Sequence, residues 1–183
     1  MHSVNWPLDA AKTAREEPKP GYHEKENLSL DQQLMHDGEV NKARFMPQSH
    51  NVVAAKTVSG EVHVFDMYRH PTRPAKGEAQ AKPNLRLVGH TQEGFGLSWN
   101  PVKAGVVASG SNDGQICVWN VGSAIEPEHG NQMKPELTID GAHQGLSVED
   151  VCWSHFDENL LVSVGDDKAL SVWDCRQPQA PCS

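Results

Sequence analysis

Three stretches end alike and decide the fold: Val62-His63-Val64-Phe65-Asp66, Ile116-Cys117-Val118-Trp119-Asn120 and Leu170-Ser171-Val172-Trp173-Asp174. Each is a short run rich in apolar residues, closed by an aromatic residue and then a small polar one. The closing aromatics fall 54 residues apart, at positions 65, 119 and 173. A second aromatic stands 20 residues upstream in every copy (Phe45, Trp99, Trp153), and a histidine precedes that one by nine or ten residues (His36, His90, His143). Three landmarks keeping step through three copies define an internal repeat, with units at about 36–66, 90–120 and 143–174.

Within a unit the pattern is β-rich. In the second copy, Phe95 to Trp99, Val106 to Ser109 and Ile116 to Trp119 read as three strands, joined by a Ser111-Asn112-Asp113-Gly114 turn. Asp-Gly tolerates the positive φ of a tight hairpin. Leu85 to Val88 and Glu136 to Ile139, just before the second and third histidines, supply a further outer strand. No segment carries a sustained 3.6-residue apolar period, so the chain reads as an all-β repeat protein.

Composition agrees and excludes other classes. At 183 residues one domain is expected, and 37% hydrophobic residues suffice for a core. The net charge of −8 makes direct nucleic-acid binding an unexpected activity and favours basic partners. No apolar run is long enough to span a membrane, and the start of the chain does not resemble a secretory signal. Cys117, Cys152, Cys175 and Cys182 form no C-x-x-C pair, and the ten histidines lack ligand spacing, so neither a metal nor another cofactor is expected. Free thiols in strand-like runs point to a reducing compartment.

Gly89-His90 opening a unit, with Trp-Asp or Trp-Asn closing it, resembles the WD repeat. That resemblance implies a β-propeller of four-stranded blades, about three blades of an expected seven, hence an incomplete ring. It also implies a His–Ser–Asp–Trp brace in each blade: His90, Ser109, Asp113 and Trp119 in copy two, and His143, Ser163, Asp167 and Trp173 in copy three. Copy one has Ala55, Ser59 and Phe65 at the corresponding places and is expected to lack the brace. A hydrolase triad would use the same residue types. Recurrence once per repeat, ending at a tryptophan, favours bracing, and no nucleophile elbow, phosphate loop or zinc-protease motif accompanies the set. No enzyme, catalytic residue or small-molecule substrate is expected. The 54-residue period exceeds the usual 40–45. The excess lies in Tyr68 to Asn84 and Val121 to Pro135, which read as solvent-exposed spacers.

More specific stretches follow. His36-Asp37-Gly38-Glu39-Val40-Asn41-Lys42-Ala43-Arg44-Phe45-Met46-Pro47-Gln48 resembles one repeat opening of the histone-binding WD-repeat family, which includes the retinoblastoma-binding histone chaperones and the chromatin assembly factor small subunit. Glu93-Gly94-Phe95-Gly96-Leu97-Ser98-Trp99-Asn100-Pro101 and Val148-Glu149-Asp150-Val151-Cys152-Trp153 continue the match in order. The resemblance implies a nuclear adaptor, with some cytoplasmic presence, that binds histones H3 and H4 among other subunits of assembly, deacetylase or remodelling complexes. It implies a basic-tail site at Glu39, Asn41, Lys42, Arg44, Glu93, Phe95, Glu149 and Asp150. Carboxylates can pair bidentately with arginine, and an aromatic ring can cover a cation. Phe95 replaces the family's usual tyrosine, so a contact needing a hydroxyl is not expected. The family's histone H4 groove needs an N-terminal helix and a late-blade insertion, neither recognisable here.

Residues 1–27 match nothing in the family and are expected to carry little order. The partial propeller is assigned to 28–176, with Leu28 to Leu34 as an orphan outer strand of a preceding blade, and 177–183 as a tail. Two other readings stay open. Trp173-Asp174-Cys175-Arg176 matches the Trp-Asp-x-Arg pattern of receptors that dock on a cullin ubiquitin ligase adaptor, with Arg176 as the docking residue. A generic WD scaffold is the third. Three blades alone would also leave two apolar end faces uncovered.

Overall fold

A computed structural model describes residues 30–122, 124 and 131–177. The N-terminal segment 1–27, and all of the 177–183 tail beyond residue 177, lie outside the described residues.

Among the described residues twelve strands form three antiparallel blades, with one parallel addition. The first blade runs β1 (Val40–Met46), β2 (Ser49–Thr57), β3 (Val62–Asp66) and β4 (Leu85–Leu87). The second holds β5 (Gly96–Trp99), β6 (Val106–Gly110), β7 (Ile116–Asn120) and, outermost, β9 (Leu137–Ile139). The third has β10 (Val148–Trp153), β11 (Leu160–Gly165) and β12 (Leu170–Asp174), and no fourth strand among the described residues. The ring is open: three blades of a WD-repeat propeller, all β.

Period-2 alternation builds the packing, because successive side chains of a strand point to opposite faces. In the middle blade Val107, Cys117 and Trp119 face the first blade, packing with Val62, Val64, Leu85 and Leu87. Val106, Ala108, Ile116 and Val118 face the third, packing with Val151, Trp153, Leu161 and Trp173. The middle blade is thus apolar on both faces. Trp119 is fully buried, and truncating it to alanine would cost roughly 3–5 kcal/mol. Beyond the third blade nothing in the described chain covers Val164 and Leu170, which are 38% and 66% exposed.

Turn chemistry fixes the hairpins. Gly114 closes the Ser111–Gly114 turn at φ 74°, and a Cβ there would fall 2.7 Å from the Gly145 carbonyl oxygen. Glycine therefore serves both the turn and the approach of the next blade.

Three expectations need correction. The Val121 to Pro135 stretch is not merely a spacer. Its β8 (Asn131–Met133) pairs in parallel with the outer edge of β4, and the Val88 amide donates to the Met133 carbonyl at 2.9 Å. An edge strand presents unpaired backbone groups, and β8 satisfies them. Tyr68 to Asn84 is only partly solvent-exposed: Ala81 and Asn84 are buried, and Asn84 Oδ1 accepts the Asp66 amide at 2.8 Å. Residues 30–34 form no strand. Gln32 instead donates its amide to the carbonyls of Met67, His70 and Pro71, tying this segment to the first insertion.

Candidate functional site

The braces differ from blade to blade. In the third blade Trp173 Nε1 donates to Ser163 Oγ at 2.7 Å, Ser163 Oγ lies 2.7 Å from His143 Nε2, and His143 Nδ1 lies 2.7 Å from Asp167. A single tautomer satisfies all three contacts, with the indole donating to the hydroxyl, the hydroxyl to Nε2, and Nδ1–H to the carboxylate. Every member except Asp167 is buried.

In the second blade the same residue types connect otherwise. His90 Nδ1 reaches Asp113 at 3.2 Å, but its Nε2 faces the Ser109 backbone carbonyl, and Trp119 Nε1 donates to Val88 O. The Ser109 hydroxyl is taken by Lys56 Nζ of the first blade, 2.7 Å away. Lys56 is fully buried, and its ammonium also donates to the Gly60 carbonyl at 3.2 Å. Burial lowers its pKa to about 8. The first blade has no brace: His36 packs against His63 with ring centroids 4.8 Å apart, and burial lowers both imidazoles. Arg86 instead gathers Asp37 at 2.7 Å and Glu61 at 3.1 Å.

The residues expected to bind a basic tail cluster where the three inner strands begin. Bulges at Val40/Lys42 and Val148/Asp150 re-aim the side chains there. Asn41 Nδ2 donates to Glu93 Oε2 and to the Gly94 carbonyl, both at 3.1 Å, joining the first blade to the loop before β5. Lys42 Nζ lies 2.7 Å from Asp150 Oδ1, so the first blade also reaches the third. Glu149 Oε1 lies 2.6 Å from Ser147 Oγ, which also sits 2.9 Å from Asn112 Oδ1. Glu39 is exposed, as is Phe95 at 47%. Arg44 points elsewhere, bonding the carbonyl of Ala43, while its own carbonyl accepts Trp99 Nε1. The cluster therefore contains Asn41, Lys42, Glu93, Phe95, Glu149 and Asp150, with Glu39 at its edge and Arg44 apart.

Sequence reasoning missed Ser147, Asn112 and Lys56. Only Lys56 left a trace, as the lone charge at the end of the apolar run Val52-Val53-Ala54-Ala55. Arg176 folds back on Asp174, with Nε 2.8 Å from Oδ1 and Nη2 2.5 Å from Oδ2. Among the described residues no group of three or more His, Cys, Asp or Glu is arranged to hold a metal.

Blades that repeat a His–Asp pair and close on Trp-Asn or Trp-Asp, with Gly89-His90 opening the second, define a WD-repeat protein, and the chain belongs to that class. The family model "WD domain, G-beta repeat" matches residues 81–120 and 133–174, the second and third units. Over 151 residues, 82% of its length, the chain is 38% identical to histone acetyltransferase type B subunit 2 of Mycosarcoma maydis. That match bears out the resemblance to histone-binding WD-repeat proteins. The chain spans about a third of that relative's length (34%).

Proposed function

We propose that the chain is a noncatalytic histone-binding adaptor, acting in the nucleus within chromatin complexes, whose cluster at the head of β1, β5 and β10 takes a basic tail of histone H3 type. One observation carries the reading: three neighbouring blades bring Glu39, Glu93, Glu149 and Asp150 to the start of the inner strands, where Phe95 is also exposed. Convergent carboxylates on an acidic chain raise the local concentration of a cationic peptide and slow its departure. Phe95 offers a face for a guanidinium or ammonium group. The relative's name, a subunit of a histone acetyltransferase, supports histones as the source of that peptide.

The test is titration of the chain with an unmodified histone H3 tail at low and high salt. Affinity should fall as salt rises, because the contacts are exposed ion pairs. Glu39→Lys, Glu93→Lys and Glu149→Lys should each weaken it. Unchanged binding by the three variants, or salt-insensitive binding, would sink the reading. The ubiquitin-ligase reading predicts instead that Arg176→Ala abolishes adaptor capture and leaves the peptide unaffected.

A further inference from the structure

We propose that Lys42 is a built-in competitor for the cation subsite at Asp150, so that the ligand gains that carboxylate only by displacing an internal ammonium. The proposal rests on the tail-binding reading and names how the site discriminates among basic ligands.

Lys42, Gly96 and Asp150 stand one 54-residue period apart, at equivalent positions of the three inner strands. The first carries a cation, the third an anion, and the middle one has no side chain. Glycine at this place has a geometric consequence. A Cβ on Gly96 would lie 2.9 Å from the Gly110 nitrogen and 3.3 Å from the Val151 nitrogen, so its absence lets β10 close against β5. That approach brings Asp150, the neighbour of Val151, within reach of a lysine two blades away. The resulting pair closes at 2.7 Å between residues 108 positions apart.

Its two ends are unequally covered. The Lys42 side chain is 17% exposed and that of Asp150 52%. The carboxylate therefore stays open to solvent on a side the lysine does not cover, where an arriving group can engage it first. An ammonium is a strongly hydrated point charge, whereas a guanidinium is weakly hydrated and binds a carboxylate with two parallel hydrogen bonds. An arginine in the ligand can displace Lys42; a lysine would exchange one ammonium for another. The latch therefore selects arginine at this subsite.

The experiment uses the full chain, an H3-tail peptide, and its Arg-to-Lys counterpart. Lys42→Met should tighten binding of the arginine peptide about two- to five-fold, the range expected for releasing an exposed ion pair. It should also narrow the preference for arginine over lysine. Lys168→Met, which removes an exposed charge from the β11–β12 turn, controls for net charge. Without peptide, acetic anhydride labelling followed by mass spectrometry should find Lys42 protected in the wild type and modified faster in Asp150→Asn. Equal tightening by Lys42→Met and Lys168→Met, or no tightening by Lys42→Met, would overturn the proposal. Absence of peptide binding in every form would end the tail-binding reading and this proposal with it. Normal peptide binding with Lys42 labelling indifferent to Asp150→Asn would overturn the latch alone.

Discussion

Lys56 Nζ of the first blade donates to Ser109 Oγ of the second across 2.7 Å, inside a seam from which both residues are fully excluded from solvent. The contact ties two blades and also removes the serine from its own blade's brace. The groups facing that ammonium are Asp113 and Cys117, with His90 bonded to the same aspartate. A buried ion that stays charged costs free energy, and its partner must offset that cost.

From this follows a prediction about Lys56 and pH. With its pKa lowered to about 8, the folded amine sheds its proton there, while the unfolded amine holds it to about 10.5. Between those values the unfolded state binds more protons, so stability contributed by this group rises with pH. Lys56→Met should flatten the rise between pH 8 and 9, read by urea unfolding. Above pH 9 the Cys117 thiol, which burial raises to about 11, works in the opposite sense and must be kept out of the comparison. Ser109→Ala should destabilise the wild type by about 1–3 kcal/mol and the Lys56→Met variant by less, since the unpaired charge is then gone. Identical slopes in wild type and variant would refute the account.

Ser163 should matter more to its own blade than a serine ordinarily does. Its hydroxyl serves both Trp173 and His143, so Ser163→Ala strands an indole N–H and a ring nitrogen in the core. A loss of about 2–4 kcal/mol is expected from two unsatisfied groups, measured by chemical denaturation. A cost below about 1 kcal/mol would mean the chain of bonds is not formed in solution.

Acid should weaken the second blade through His90 and Asp113 together. Burial lowers the His90 imidazole. Burial would raise the Asp113 carboxyl, but hydrogen bonds from His90, Thr91 and Gln115 outweigh it and hold it well below the usual range. Both groups bind protons more readily unfolded. Stability should therefore decline as pH falls below about 6.5 and again below about 4. Asp113→Asn should lose the lower step; a variant that retains it would assign acid sensitivity elsewhere.

Asn41 is a positioning residue for Glu93, since its amide bonds both that carboxylate and the adjoining Gly94 carbonyl. Asn41→Ala should weaken H3-tail binding several-fold, while Asn41→Asp, which places like charges together, should weaken it further. Isothermal titration would measure both. Peptide affinity equal to wild type in Asn41→Ala would remove Asn41 from the site.

The strands were legible because period-2 burial writes itself into runs such as Ile116-Cys117-Val118-Trp119, and because the landmarks recur at a fixed spacing. Glu39 and Glu93 were legible as positions one 54-residue period apart, and Glu149 and Asp150 as carboxylates at the start of the third copy's inner strand. Their pairings were not, because whether Lys42 meets Asp150 depends on how closely two strands approach, and that is set by Gly96. Nor could Ser109 be known to desert its brace, since a lysine 53 residues earlier claims it. β8 escaped notice for a different reason. Asn131-Gln132-Met133 carries no alternation, and its place is set by the open edge it finds at Leu85–Leu87.

That edge has a consequence for how the chain comes into being. β8 lies after β7 in sequence yet finishes the sheet that β1 began. A ribosome delivers residues in order, and a sheet completed from downstream must wait for them. The first unit can gather its four antiparallel strands early, but its outer border stays unprotected until the second unit has been synthesised and residue 133 has emerged. Maturation of neighbouring units is thereby interlocked, and the earliest one is finished late.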